Sequence, residues 1–403
     1  MLTEEQNDRL TRVGPGTPMG NLLRRYWHVV AAASEAELES AISVRLLGEN
    51  LALYRTEHGD LGLMAQKCAH RGASLEYGIP EPDGLRCPYH GWKYDAEGVC
   101  IETPAEPPEA TFVGRVRIPA YPVQELGGLI WAYMGPSPAP LLPRWDLLVR
   151  DDLERNIGVA RLPINFLQAM ENSLDPVHFE YLHGMYGNYV MKKQGKPPAM
   201  TVRKHVKTAF DPFEFGIRKR RLLEGETEDD DDWTTGHPVL FPTILTVNTG
   251  SNPMFQIRVP VDDTHTIHYW YLTSPRPDGA SPQETIPMWD NPFRKPDGSL
   301  KGDTTNSQDM LAWVSQGEIA DRTTERLGSS DRGIVIYRRM LLEQVEKVER
   351  GEDPLGVIRD PAKNEPMIEI EREGYALRNM DVRFELTYAQ QTAALGRAMR
   401  RVD

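Results

Sequence analysis

Cys68-Ala69-His70-Arg71-Gly72 and Cys87-Pro88-Tyr89-His90-Gly91-Trp92 are the stretches on which the fold of this chain turns. Each sets one thiol and one imidazole close together, C-x-H in the first and C-x2-H in the second, with sixteen residues between the two halves. Two thiolates can hold one iron of a 2Fe-2S cluster while two imidazoles hold the other, which raises the reduction potential above that of an all-cysteine cluster. Gly72, Pro88 and Gly91 mark tight bends between strand-like segments, where ligands can be aimed at one point. A structural zinc competes for any Cys2His2 set. Zinc modules usually pair cysteine with cysteine and histidine with histidine at short spacing, however, whereas here each cysteine is paired with a histidine. Cys100 lies outside the pattern and reads as a packed thiol.

Around this nucleus the chain has 403 residues, more than one hydrophobic core usually serves, so two domains are expected. An apolar content of 40% with scattered Gly and Pro excludes wholesale disorder. No run approaches the roughly 18 apolar residues of a membrane helix, and residues Met1 to Arg12 are charged where a secretory leader would be apolar, so a cytoplasmic protein is expected. The net charge of −13, with basic residues interspersed among acidic ones, argues against nucleic acid as a partner. With only three cysteines and a reducing compartment, structural disulfides are not expected.

Thr3 to Arg12 reads as a short helix, broken by Gly14-Pro15-Gly16-Thr17-Pro18 before a second amphipathic run from Met19 to Trp27. Residues 1–42 are thus expected to form an N-terminal helical arm. From Ser43 the texture becomes short alternating strands separated by turns, a small β-domain that ends in the Pro-rich stretch Gly135 to Pro140. Its predicted span is 43–140. The remainder, 141–403, is read as a larger α+β domain with an antiparallel sheet flanked by helices. Leu162 to Tyr186, Ser307 to Leu327 and Gly333 to Glu349 read as helical, and Val239 to Pro275 as strands. The acidic run Glu226 to Asp232 reads as a solvated loop, since like charges at that density resist packing.

A second constellation follows in Asp175-Pro176-Val177-His178-Phe179-Glu180-Tyr181-Leu182-His183. Two histidines five apart lie about 500° around an ordinary α-helix, so both rings reach one metal only if the helix bends or breaks. Taken alone, these histidines could equally be hydrogen-bonded core residues.

The first constellation matches the signature of Rieske iron–sulfur domains, and nearly the whole chain resembles the oxygenase component of Rieske non-haem iron aromatic-ring oxygenases. The Arg12-to-Gly20 and Arg24-to-Trp27 segments and the Ile319-to-Asp331 stretch are similar to the phthalate-dioxygenase-like branch. The resemblance implies that Cys68 and Cys87 bind the inner iron and His70 and His90 the outer iron of the cluster. It implies that D-x2-H-x4-H, here Asp175, His178 and His183, supplies two ligands of a mononuclear Fe(II), with Asp175 as the bridge to the cluster of a neighbouring subunit. The third ligand in such proteins is a downstream aspartate near the start of a helix. Asp309 is expected to fill it, with Asp303 and Asp321 in reserve.

The function implied is O2-dependent oxidation of an aromatic carboxylate, with electrons from a separate NAD(P)H-dependent reductase, directly or through a ferredoxin. The best reading is O-demethylation of a methoxylated biaryl acid; the alternative is hydroxylation or cis-dihydroxylation of a phthalate-like acid. A Rieske electron carrier without oxygenase activity is the alternative of another class, although it would need only the first constellation. The resemblance further implies a homotrimer or stacked trimers. Arg203, Lys204, Lys207, Arg218 and Arg258 are candidates to meet a substrate carboxylate.

Overall fold

The computed structural model describes residues 1–249 and 252–372. The last part of the segment read as 141–403 therefore lies outside the described residues.

The chain opens with helix Glu4–Thr11, capped reciprocally by Thr3 and Gln6, and helix Pro18–Leu23, capped by Thr17 with Pro18 in its first turn. The amphipathic run does not stay helical to Trp27. It stops at Leu23, and Trp27–Ala32, rich in aromatic and β-branched side chains, becomes a fully buried strand paired with Leu129–Tyr133. The segment 1–42 thus holds a strand as well as its two helices.

The small β region contains two further sheets. Ser40–Leu46, Glu49–Arg55 and Leu61–Ala65 form a meander, and Ile79–Glu81, Gly84–Arg86, Lys93–Tyr94 and Cys100–Glu102 form a four-stranded sheet. Their shared core includes Tyr54, Met64, Leu75, Leu85, Trp92, Tyr94 and Ile118. Cys100 is buried in it, as a packed thiol would be.

The larger part is built on an eight-stranded sheet. Its order is His205–Phe213, Gly216–Leu223, His237–Leu240, Ile244–Thr249, Asn252–Pro260, Thr266–Pro275, Leu153–Leu162 and Met288–Asp290. All pairings are antiparallel except the last, which is parallel. Side chains alternate between faces along each strand. Phe255, Ile257, Tyr269 and Tyr271 join the main core shared with the N-terminal helices, while Met254, Trp270 and Ala160 turn the other way, against Met310 and Trp313 of helix Thr305–Ser315. That second face is where the candidate metal-ligating side chains converge.

Three helical expectations are met differently. Arg332–Glu349 forms as read, burying Ile334, Tyr337, Leu341, Val345 and Val348 at helical spacing. Gly333 is needed there: a Cβ would lie 2.5 Å from the Leu174 carbonyl oxygen. The run from Ser307 to Leu327 ends at Ser315, where Gly317 takes a left-handed φ of 90° and the chain turns back. Leu162 to Tyr186 is likewise not one helix. Strand Leu153–Leu162 ends it on one side, Asn165 caps helix Phe166–Ser173, and Leu174 to Pro176 interrupt it before Phe179.

The acidic run is not a solvated loop throughout. Asp231–Thr234 forms a helical turn that carries Asp232 inward to Arg221 (2.8 Å) and His237 (3.2 Å). One acidic residue with two basic partners can be buried where its neighbours in sequence cannot.

Candidate metal centres

The two cysteine–histidine stretches form matching loops. The Cys68 N–H donates to the Ala73 carbonyl (3.0 Å) and the Gly72 N–H to the Cys68 carbonyl (2.9 Å); Cys87 repeats this with Trp92 (2.8 Å) and Gly91 (3.0 Å). Gly72 and Gly91 both adopt left-handed backbone, at φ 70° and 76°, which closes each loop tightly. The loops bury both thiols and bring the rings of His70 and His90 to a centroid distance of 4.5 Å. His70 stacks on Trp92 at 4.8 Å, and Tyr89 lies over His90 at 3.8 Å. His70 Nδ1 is buried without a hydrogen-bond partner, as a nitrogen kept for a metal would be. Burial, and then the neighbouring Cys68, raise the Cys87 thiol above its usual range, a cost that metal coordination of a thiolate removes. Sequence reading missed Tyr94. Its hydroxyl accepts from the Ala69 N–H (3.1 Å) and stands 3.2 Å from Cys68 Sγ, so its own proton is free to point at the sulfur.

The second site explains how histidines five apart can meet. Phe179–Tyr186 is a π-helix, continued by α-helix Gly187–Lys193, and His178 is the residue immediately before it. Hydrogen bonding from i to i+5 sets residues five apart nearly above one another. The two rings consequently lie 5.1 Å apart. Facing them is Asp309, on helix Thr305–Ser315: its Oδ1 is 3.2 Å from His183 Nε2 and 3.7 Å from His178 Nε2. One ligand atom from each of these three residues falls within 4.8 Å of the others. Asp303 and Asp321 are not in this group; Asp303 sits near Ser307, and Asp321 is turned to its own loop, accepting from Thr323.

Orientation of each ring is supplied by its far nitrogen. His178 Nδ1 donates to the Asp175 main-chain oxygen. His183 Nδ1 donates to Gln308 Oε1 at 2.9 Å. Because Gln308 Nε2 donates to the Gly302 carbonyl (3.3 Å), its oxygen is the end presented to His183. Both Nε2 lone pairs are thereby left for a cation beside Asp309. Burial pushes His178 down to about 3, favouring the neutral ring that a metal requires, whereas for His183 burial is outweighed by Asp309 and Gln308, which raise it, so that ring would give up a proton on binding a metal. Burial would raise the Asp309 carboxyl, but His183, His178 and Arg258 hold it below its ordinary value. Asp309 Oδ1 is buried with no hydrogen-bond donor. Two neutral imidazoles and one such carboxylate fit a divalent iron with positions left open. Gln308 also escaped sequence reading, although it directly precedes Asp309.

Asp175 stands at the edge of this site. Its Oδ1 accepts from the Val177 and His178 N–H groups (3.0 and 3.3 Å), which fixes the turn before the π-helix, while Oδ2 lies 3.8 Å from His178 Nδ1.

Cluster loops on a small β-domain and a buried two-histidine, one-carboxylate site under a larger sheet define a Rieske iron–sulfur protein with a catalytic domain. Residues 26–122 match the Rieske 2Fe-2S domain, and residues 297–368 match the "LigXa C-terminal domain like" family. The chain is 44% identical over 380 residues to the 5,5'-dehydrodivanillate O-demethylase oxygenase subunit of a Sphingobium species, covering 93% of this chain and 88% of that one. It is 32% identical to the phthalate 4,5-dioxygenase oxygenase subunit of Pseudomonas putida, covering 88% and 89%. Its fold is similar to that of the terminal oxygenase of carbazole 1,9a-dioxygenase from Novosphingobium sp. KA1, with a TM-score of 0.60 at 21% identity, covering 83% and 96%.

The chain belongs to the Rieske non-haem iron oxygenases, as an oxygenase component. Its cofactors are a Rieske 2Fe-2S cluster and a mononuclear iron. Among the described residues, no helix is long and apolar enough to cross a membrane.

Proposed function

We propose that this oxygenase O-demethylates a methoxylated aromatic acid of the biaryl type, with Cys68, His70, Cys87 and His90 holding the cluster and His178, His183 and Asp309 the catalytic iron. The observation that carries the reading is the 44% identity, over nearly the whole chain, to an oxygenase subunit named for that reaction. The net change is Ar–O–CH3 + O2 + 2e− + 2H+ → Ar–OH + HCHO + H2O. Iron held at the second site supplies O2 binding and activation, and the cluster supplies electrons one at a time. The rest is the work of side chains. Asp175 and Gln308 hold the two imidazoles by their Nδ1 atoms, Asp309 contributes the one negative charge, and Trp270 and Trp313 pack with Met310, the residue after Asp309, in an apolar cluster on the sheet side.

Electrons come, in this proposal, from an NAD(P)H-dependent reductase, directly or through a ferredoxin, in the cytoplasm. Asp175 is the proposed bridge between His178 and the cluster of a neighbouring subunit in a homotrimer or in stacked trimers. Two sets of exposed apolar side chains support a ring of this kind. One set is in the small β region that carries the cluster loops (Tyr77, Ile79, Tyr89, Val113), and the other lies along the π-helix and its continuation (Tyr181, Met185, Tyr189). Different surfaces on one chain give head-to-tail contacts, which close into rings when the rotation between neighbours divides a full turn. The proposed division of the chain is an arm, 1–42, a Rieske domain, 43–140, and a catalytic domain, 141–403.

The deciding experiment supplies the iron-replete protein with a surrogate reductase, NADH and a panel of methoxylated aromatic acids and phthalates. Formaldehyde released in proportion to O2 consumed is the expected result. Diol formation from a phthalate without formaldehyde would favour hydroxylation or cis-dihydroxylation of a phthalate-like acid, a reading supported by the 32% identical phthalate dioxygenase subunit. An intact cluster with no substrate-dependent O2 uptake across the panel would overturn both aromatic-acid readings.

A further inference from the structure

On the sheet face that looks toward the second metal site, Arg258 and His268 are cross-strand neighbours on Asn252–Pro260 and Thr266–Pro275. Both are buried, at 1% and 0% exposure, among apolar side chains. Arg258 donates to the Gln256 carbonyl (3.1 Å) and to Gln256 Oε1 (2.7 Å), yet its Nε has no partner. Among the described residues no carboxylate forms an ion pair with it. The other four cationic candidates are engaged elsewhere or lie outside this face: Arg203 pairs with Glu226, Lys207 with Glu228, Arg218 donates to the Thr235 carbonyl, and Lys204 belongs to the loop before the first strand of the sheet.

His268 is equally unusual. Neither ring nitrogen has a hydrogen-bond partner, and the ring is flanked by Trp270 at 4.1 Å and Trp313 at 5.4 Å. Trp313 Nε1 is also unpartnered, and Trp313 stands one helical turn beyond Asp309 on the same helix. Unpaired buried donors and acceptors are costly, and several gathered in one place call for a polar partner that arrives from outside. The cationic donor sets the sign of that partner, and the indole rings set its shape. Burial lowers the Arg258 guanidinium, partly countered by Asp309, which places its charge within reach of the metal site.

We infer that Arg258 and His268 form the subsite for the acidic group of an aromatic substrate, Arg258 meeting a carboxylate and His268 hydrogen-bonding beside it, with the ring held against Trp313. The subsite deepens the aromatic-acid reading of the previous section and rests on it. It orients the far end of the substrate and thereby selects which substituent faces the iron.

Calorimetric titration of the full-length, iron-loaded protein without reductant tests this with three probes: 4-hydroxy-3-methoxybenzoate, phthalate, and the uncharged 2-methoxyphenol. Arg258→Gln should weaken binding of the two acids about tenfold or more, the usual worth of a charged hydrogen bond, and leave 2-methoxyphenol within about twofold. Arg258→Lys keeps the charge and loses the planar fork, so it should recover part of the acid affinity; should Arg258→Gln not fold, the selective loss of acid affinity in Arg258→Lys carries the test. Equal loss for acids and phenol, or no loss for the acids, overturns the subsite. Acids held through Arg258 but never demethylated sustain the subsite and overturn the proposed reaction. Formaldehyde production by Arg258→Gln at undiminished kcat/KM does the reverse.

Discussion

The Nδ1 of His183 lies 2.9 Å from Oε1 of Gln308, the residue next to Asp309 on the same helix. A proposed metal ligand and the group that orients another are thus mounted on one backbone. Removing the acceptor in Gln308→Leu should loosen the His183 ring and lower affinity for the mononuclear iron by about 10- to 100-fold. Metal analysis after dialysis against a weak chelator measures this, with the visible absorption of the cluster as the internal reference. Unchanged iron retention would show that packing alone holds the ring.

Asp309→Ala leaves two neutral imidazoles with no anion beside them. The variant should lose its mononuclear iron, keep the Rieske electron paramagnetic resonance signal, and show no substrate-dependent O2 uptake. Full retention of the mononuclear iron would return Asp303 or Asp321 to consideration.

Tyr94→Phe removes the hydroxyl that stands 3.2 Å from Cys68 Sγ without changing the shape of the core. Hydrogen bonds to cluster sulfur favour the reduced, more negative state. One bond of about 1 kcal/mol corresponds to a potential lower by on the order of 50 mV for one electron. A redox titration followed by electron paramagnetic resonance reads the shift, and an unchanged potential would mean the hydroxyl points elsewhere.

Glu171 is buried between Arg322 (2.8 Å) and Arg338 (2.6 Å), tying the helix before the metal site to the loop and helix that follow Asp309. Burial opposes ionisation, but the two guanidinium groups hold the carboxyl below its usual 4.5. A carboxyl lowered in the folded state contributes stability that is present above its unfolded value and is lost as pH falls through the folded one. Glu171→Ala should therefore cost roughly 3–5 kcal/mol at pH 7, by leaving Arg322 buried without a carboxylate partner and Arg338 with Glu325 alone. Urea unfolding of both proteins should show the gap at full size at pH 7 and narrowing below about pH 4.5. A constant gap would assign the loss to packing instead.

Sequence reading reaches the class of protein and the alternation of small β-domain and larger α+β domain because cluster ligands and turn residues announce themselves by spacing. It does not reach what depends on backbone geometry. The π-helix is invisible in side-chain order, so His178 and His183 looked misaligned on an ordinary helix. Gln308 has no chemistry of its own to advertise. Asp232 sits in a charge run whose average character is solvated, and only its two basic partners, on the strands just before and after it, take it inside. Arg258 was one of five similar cations in the text; its burial on the sheet face beside His268 separates it from the others. Each of these depends on backbone geometry or on which side chains meet in the fold, and composition or periodicity carries no information about either.

The ligand set at the second site also has a mechanical side. His183 and Gln308 are 125 positions apart, and the strands from His205 to Asp290 lie between them. An ion bound by His178, His183 and Asp309 pins the two ends of that long excursion together, as a clasp closes a loop of cord. Closing so long a loop is entropically expensive for a free chain. An ion that binds only when these ends meet would therefore stabilise the folded catalytic sheet against unfolding as well as arm it for chemistry.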